Sequence, residues 1–269
     1  MKNKYKIVVL SDLKDSSEKT LKSSISLAKT IGADIKFFHV KKPTDVVDRD
    51  SQLSTFRTIN EQHSLTKNSI DDLVKSVSKT YGVPIDYGYA FGNVKTEIQD
   101  YLDKHQPDIV VLGKRKSKIG LTGDKIVNFV LKTHKGTILV VGNQNNLEPD
   151  EDLSIGFLNN HSTSQDDALT NSLLKKSQKP SKAFRFIDKS KKQESSKTNS
   201  DNKTIEYVFE RNDNTIKNLS NYLLKSNINL LYLNRKENKN KNGGLRKSDI
   251  KDILAKVDVS MLLSSEQTL

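Results

Sequence analysis

A chain of 269 residues is long for one small domain and suits two of ordinary size. It has no cysteine, which excludes disulfides, thiolate zinc sites and cysteine nucleophiles and fits a reducing compartment. The net charge of +12 admits anionic ligands, but the basic excess is spread over both halves instead of forming a tail, so nucleic acid is not singled out as a partner.

"KIVVLSD" (6–12) is a short β-branched run that ends in polar residues, as expected of a buried parallel strand. A helix should follow, with Asp15 and Glu18 at capping-box spacing, Leu21, Ile25 and Ala28 on one stripe, and Gly32 as its stop. "ADIKFFHV" (33–40) reads as the second strand, and the polar stretch from Lys41 to about Glu61 resists assignment. Ile70, Leu73, Val74 and Val77 then mark a helix that stops near "YGVP". The third strand is "IDYGYA" (85–90), followed by a helix carrying Val94, Ile98, Tyr101 and Leu102. "DIVVLG" (108–113), a helix from Ile126 to Leu131 and "TILVVG" (137–142) complete five strands that alternate with helices. Such alternation needs crossover connections and predicts a doubly wound, mainly parallel α/β sheet. The polar, Pro-containing "NQNNLEPDED" (143–152) breaks the pattern and reads as a linker between domains at 1–146 and 152–269.

The second half repeats the first in degenerate form. "SIGFLNN" (154–160) overlays "KIVVLSD" at an offset of 148, placing Asn160 where Asp12 stands. There follow a helix with Leu169, Leu173 and Leu174, strands "KAFRFI" (182–187) and "TIEYVFE" (204–210), and a helix from Ile216 to Leu224. "INLLYL" (228–233), the helix "DIKDILAKV" (249–257) and "VSMLLS" (259–264) close the series. "DKSKKQESSKTNSDNK" (188–203) has the composition of a solvated segment and stands where the first half has a helix, so the copy is expected to lack one. Two copies imply two separate sheets; one continuous sheet, or two lobes of unlike topology, would overturn that reading and every residue assignment made from it.

"IVVLSDLKDSSEKTLKSSISLAKTIGADIKFFHV" together with "DIVVLG", the Gly123 turn and "TILVV" resembles the universal stress protein family, in its arrangement of two domains in tandem. The resemblance implies two adenine nucleotide alpha hydrolase-like domains, the second degenerate, and a non-enzymatic, stress-response regulatory function. One class of the family binds ATP at the carboxyl ends of the strands. Carried over to this chain, Asp12 meets the adenine, Val40 lies beside its ring, and Leu112 with Gly113 opens a phosphate loop that closes near Gly123. Domains of the family also pair through their last strands, so the chain either dimerises or forms an internal pseudo-dimer with "TILVV" facing "VSMLL".

The loop "GKRKSKIGLTGDK" (113–125) departs from the nucleotide-binding form of Gly, two residues, Gly, nine residues, Gly and then Ser or Thr. Lys116 takes the second glycine position, nine residues separate Gly113 from Gly123 where the family has twelve, and Asp124 replaces the hydroxyl residue. A carboxylate near 4 Å from a phosphate charge repels it by about 4 kcal/mol at an effective dielectric near 20. Lys114, Arg115, Lys116, Lys118 and Lys125 offset that if they reach inward. The other reading, which we favour, is that Asp124 caps the following helix. Both readings leave a degraded nucleotide or anion site, with ATP or another adenine nucleotide as the candidate ligand. Gly243 and Gly244 of the second half read as a turn, not a second site.

The five histidines lack metal-ligand spacing; His39, at a strand end beside the crevice, reads as structural. "SDLKDSS" (11–17) lacks the Ser-Gly-Gly of the related ATP pyrophosphatases, and no Walker lysine, nucleophile elbow or dinucleotide fingerprint occurs. No run of about 18 apolar residues is present, and the start resembles no signal peptide, so a cytoplasmic protein without a membrane segment is expected. The alternative function is a ligand-free interaction scaffold that works by dimerising.

Overall fold

The apolar runs of the sequence become ten strands and seven helices in a computed structural model, which describes residues 4–42, 52–115, 124–158, 168–177, 180–187, 205–235 and 247–264. In the first half the order is β1 (Tyr5–Ser11), α1 (Ser17–Ile31), β2 (Ala33–Lys41), α2 (Gln52–Tyr81), β3 (Ile85–Phe91), α3 (Val94–His105), β4 (Ile109–Gly113), α4 (Lys125–Thr133) and β5 (Thr137–Val141). The second half runs β6 (Ile155–Leu158), α5 (Ala168–Lys176), β7 (Lys182–Ile187), β8 (Ile205–Glu210), α6 (Thr215–Lys225), β9 (Leu230–Leu233), α7 (Lys247–Lys256) and β10 (Ser260–Leu263).

All strands lie in one sheet of order β3-β2-β1-β4-β5-β10-β9-β6-β7-β8. Each half contributes five parallel strands in the same relative order, and the two sets meet where β5 and β10 pair antiparallel, Val140 opposite Met261. The expectation of two separate sheets is therefore corrected: the sheet is continuous, because one antiparallel ladder joins the two sets, and what the halves share is the relative order of their strands. That ladder is the internal contact of "TILVV" with "VSMLL". Both strands are buried along their whole length, as an exposed edge would not be. Period-two alternation sends Leu139, Val141 and Leu262 to one face and Ile138, Val140, Met261 and Leu263 to the other, so each apolar layer is continuous across the two halves. Helix α1 packs against α5 over the first face, while α3, α4, α6 and α7 cover the second.

Three local expectations change. Helix α2 begins at Gln52, well before the apolar stripe of Ile70, Leu73, Val74 and Val77, because a helix nucleated on a packed stripe extends into polar sequence at little cost. Helix α1 has Ser16, not Asp15, at its N-cap and no side-chain cap bond; Glu18 pairs instead with Lys22 at 2.7 Å. The linker is also no loose tether. Leu147 is buried in the first apolar layer, its carbonyl accepts from Ser23 Oγ at 2.9 Å, and Asn143 donates twice to Asp258 Oδ1 at 3.0 Å. Gly142 is required there, since a methyl group would come within 2.5 Å of the Asp258 carbonyl oxygen. The segment 188–203, expected to lack a helix, lies outside the described residues.

The halves are also joined by a reciprocal pair of cations. The ladders β1–β4 and β6–β9 place Ile109 and Leu230 at equivalent positions, which makes Lys114 the counterpart of Arg235. Lys114 Nζ donates to the Val257 carbonyl at 2.6 Å, just beyond the C-terminus of α7. Arg235, buried, reaches the other way to the C-terminus of α4, donating to the carbonyls of His134 and Lys135 at 3.1 Å and to that of Gly136. Each cation thus meets carbonyl oxygen just past the C-terminus of a helix of the other half, at the negative end of the helix dipole.

Candidate functional site

At the carboxyl ends of β1, β2 and β4 a cleft of about 1260 Å³ opens between α1, α2, α3 and α4. That is the place where an open α/β sheet binds ligands, because the strand order reverses beside β1 and leaves a crevice between the helices on either side. Asp12, Val40, Leu112, Gly113, Arg115 and Lys125, all expected at the site, line it together with Asp124. Gly123, Lys116 and Lys118 lie outside the described residues.

Asp12 follows the last residue of β1, and its Oδ1 accepts from the Lys14 amide at 3.2 Å. The Ser11 hydroxyl ties the same turn to α1 by accepting from the Leu13 amide at 3.1 Å and donating to Ser17 Oγ at 2.7 Å. Gly113 has no room for a side chain, because a methyl group would overlap Thr20 Oγ1 in the first turns of α1. Its glycine is explained by this close packing of helix on strand. His39 donates from Nδ1 to the Ser11 carbonyl at 2.9 Å, and burial lowers its pKa, so it stands neutral with Nε2 as the acceptor nitrogen.

Asp124 is the N-cap of α4: its Oδ1 accepts from the amides of Ile126 at 2.8 Å and Val127 at 3.3 Å. The cap reading of this residue holds. Its second oxygen is not left bare toward a ligand either, because Arg115 Nε lies 3.7 Å from Asp124 Oδ2 and 3.1 Å from Asp12 Oδ2. Removing the cap by Asp124→Ala is expected to lower the stability of the chain by about 1 kcal/mol, read from the midpoint of urea unfolding.

Lys114 does not join the loop cations in the cleft. Its stem runs to Val257 at the junction of the halves, where the carbonyl bond and the nearby Asp258 carboxylate, 4.0 Å away, hold it, and burial lowers its pKa. The cations that do line the cleft with Arg115 and Lys125 are Lys14, Lys41, Lys42 and Lys95, which sequence reading missed. They come from three separate places, the turn after β1, the adjacent Lys41 and Lys42 at the end of β2, and the first turn of α3, so no single motif in the chain groups them. Asn93, which caps α3 by accepting from the Lys95 and Thr96 amides, was legible as an Asn directly before a helical stripe. Against Asp12 and Asp124, these six cations give the cleft a positive field suited to an anion.

The second half is built differently at the same place. Ladder register makes Phe186 the counterpart of Val40, and its buried ring is covered by the Arg211 guanidinium at 5.6 Å, itself paired with Asp249 at 2.9 Å. Asn160, Gly243 and Gly244 lie outside the described residues.

The profile described as the Universal stress protein family matches residues 5–141, about half of the chain. The chain belongs to the universal stress protein family. The match spans every element of the first half and both carboxylates of the cleft. No curated protein matches the chain. Among solved structures, a universal stress protein from Archaeoglobus fulgidus DSM 4304 is similar over 97% of this chain and 98% of its own, with a TM-score of 0.67 and 12% identity. A putative universal stress protein from Pseudomonas aeruginosa UCBPP-PA14 is similar over 97% of this chain and 92% of its own, with a TM-score of 0.61 and 9% identity. At these identities the likeness carries the fold, here over both halves of the chain. No helix among the described residues is long and apolar enough to cross a membrane, and these residues hold no cluster of His, Asp and Glu suited to a metal.

Proposed function

We propose that this universal stress protein is a non-enzymatic regulator of the stress response whose first half, within 1–146, holds an adenine nucleotide weakly, while its second half, within 152–269, serves as structural partner. The observation that carries the reading is the convergence of Asp12, Val40, Leu112, Gly113 and Arg115 on one cationic cleft at the ends of the strands. In this reading Asp12 accepts from the base or ribose, Val40 and Leu112 supply apolar contact, and Arg115 and Lys125 face the phosphates. The binding is weak because the spacing from Gly113 to Gly123 is three residues short of the family's phosphate loop, with Lys116 at its second glycine position, and because two carboxylates share the cleft. A reacting group with a positioned partner is not among the roles these residues take, which supports a binding function over catalysis.

Phe186 and Arg211 fill the equivalent position in the second half, so one ligand per chain is expected. Calorimetry and thermal shift with ATP and ADP test this. The expected result is a single site of millimolar to submillimolar affinity that Asp12→Ala abolishes. No heat and no shift at millimolar ligand, or two equal sites per chain, would count against it. The scaffold reading through homodimerisation has less support, since β5, the strand expected to pair between copies, is already paired with β10.

A further inference from the structure

We infer that Arg115 is a movable counter-cation that makes the first-half cleft select charged over neutral ligands. The inference rests on the reading of that cleft as a nucleotide site and adds the residue that sets its selectivity.

The two carboxylates flanking Arg115 are each fixed without it. Asp12 uses Oδ1 for the Lys14 amide and Asp124 uses Oδ1 for the first turn of α4, so both turn Oδ2 toward the same guanidinium. Arg115 is the loose partner of the three: its side chain is 47% exposed, against 19% for Asp12 and 9% for Asp124. The guanidinium can therefore leave Asp12 and stay neutralised by Asp124, a shift of little more than one contact distance.

That exchange has a different outcome for different ligands. Any ligand that uses Asp12 as an acceptor, through a base amine or a ribose hydroxyl, must displace Arg115 from Oδ2. A neutral nucleoside exchanges a charge-assisted bond for a weaker one. A nucleotide brings an anion that receives the displaced guanidinium, which presents a planar fork matched to phosphate oxygens.

The test is calorimetry with adenosine and with ADP on the wild-type chain, Arg115→Ala and Arg115→Lys. Arg115→Ala is expected to tighten adenosine about tenfold and weaken ADP about tenfold, collapsing the preference for the nucleotide. Arg115→Lys is expected to fall between the two, since it keeps the charge and loses the fork. The double variant Arg115→Ala with Asp124→Asn retains a capping side chain, removes the stranded charge and is expected to show the same gain for adenosine. If Arg115→Ala moves both ligands in the same direction, or moves neither while the wild-type chain binds them, Arg115 has no such role and the nucleotide site stands. If neither ligand binds the wild-type chain or any variant, the nucleotide site falls and this inference with it.

Discussion

Arg235→Ala is expected to destabilise the folded chain by about 3 to 5 kcal/mol, seen as a large drop in the urea midpoint. The guanidinium has five N–H donors, and five carbonyls receive them. Nε donates to Ser264 at 2.6 Å, one terminal nitrogen to Leu131 at 3.5 Å and His134 at 3.1 Å, and the other to Lys135 at 3.1 Å and to Gly136. Four of these belong to the last turn of α4 and the residues just beyond it, where a helix has no N–H of its own to offer. Truncation leaves these carbonyls without that donor at a junction that buries Arg235 itself. Arg235→Lys is expected to recover less than half of the loss, because an ammonium group has three donors and no planar fork. Its counterpart Lys114 serves one carbonyl, so Lys114→Ala is expected to cost only about 1 to 2 kcal/mol. A loss below about 1 kcal/mol for Arg235→Ala would show that the halves hold together through the β5–β10 ladder and the shared apolar layers alone.

Acidification from pH 6.5 to 4 is expected to remove about 3 kcal/mol of stability through His134 alone. Burial, aided by the positive charge of Arg235, lowers the His134 pKa from 6.5 to about 4, and its Nε2 is buried with no hydrogen-bond partner among the described residues. Between those values the unfolded chain takes up a proton that the folded chain refuses. Stability is therefore complete above pH 6.5 and falls as pH drops toward 4. His39 and His105 are lowered in the same direction, chiefly by burial, and carboxylates add to the loss at the acid end. The comparison of interest is thus the difference in slope between the wild-type chain and His134→Asn, which retains a polar side chain of similar reach and does not titrate. Equal slopes would exclude His134 as the source. Arg235→Ala should also flatten the profile, because it removes a charge that holds the imidazole neutral.

Much of the fold is legible in the chain. Period-two runs and helical stripes locate the strands and helices, Gly32 stops α1 in the left-handed conformation, and the offset repeat foretells two sets of five strands in the same order. Asp124 as a cap is legible because its bonds are to amides two and three residues away. The start of α2 is not legible, since a helix that propagates from a distant packed stripe leaves no local mark. Arg115 between Asp12 and Asp124, the six cations of the cleft and the diversion of Lys114 are likewise invisible in the chain, because each joins residues from separate elements.

The sequence by itself determined the alternation of elements, the like series of strands in the two halves, the membership of the first half in a family and the loss of that family's phosphate-loop spacing, for these depend on neighbours a few residues apart. Only the tertiary structure decided that the two halves share one sheet and two continuous apolar layers, that their cations cross at the junction, and that an arginine stands between the carboxylates of the cleft. The physical reason is that packing and charge pairing act through space: Lys114 and Arg115 are adjacent in the chain, yet the paths of their side chains commit one to the second half and the other to the site.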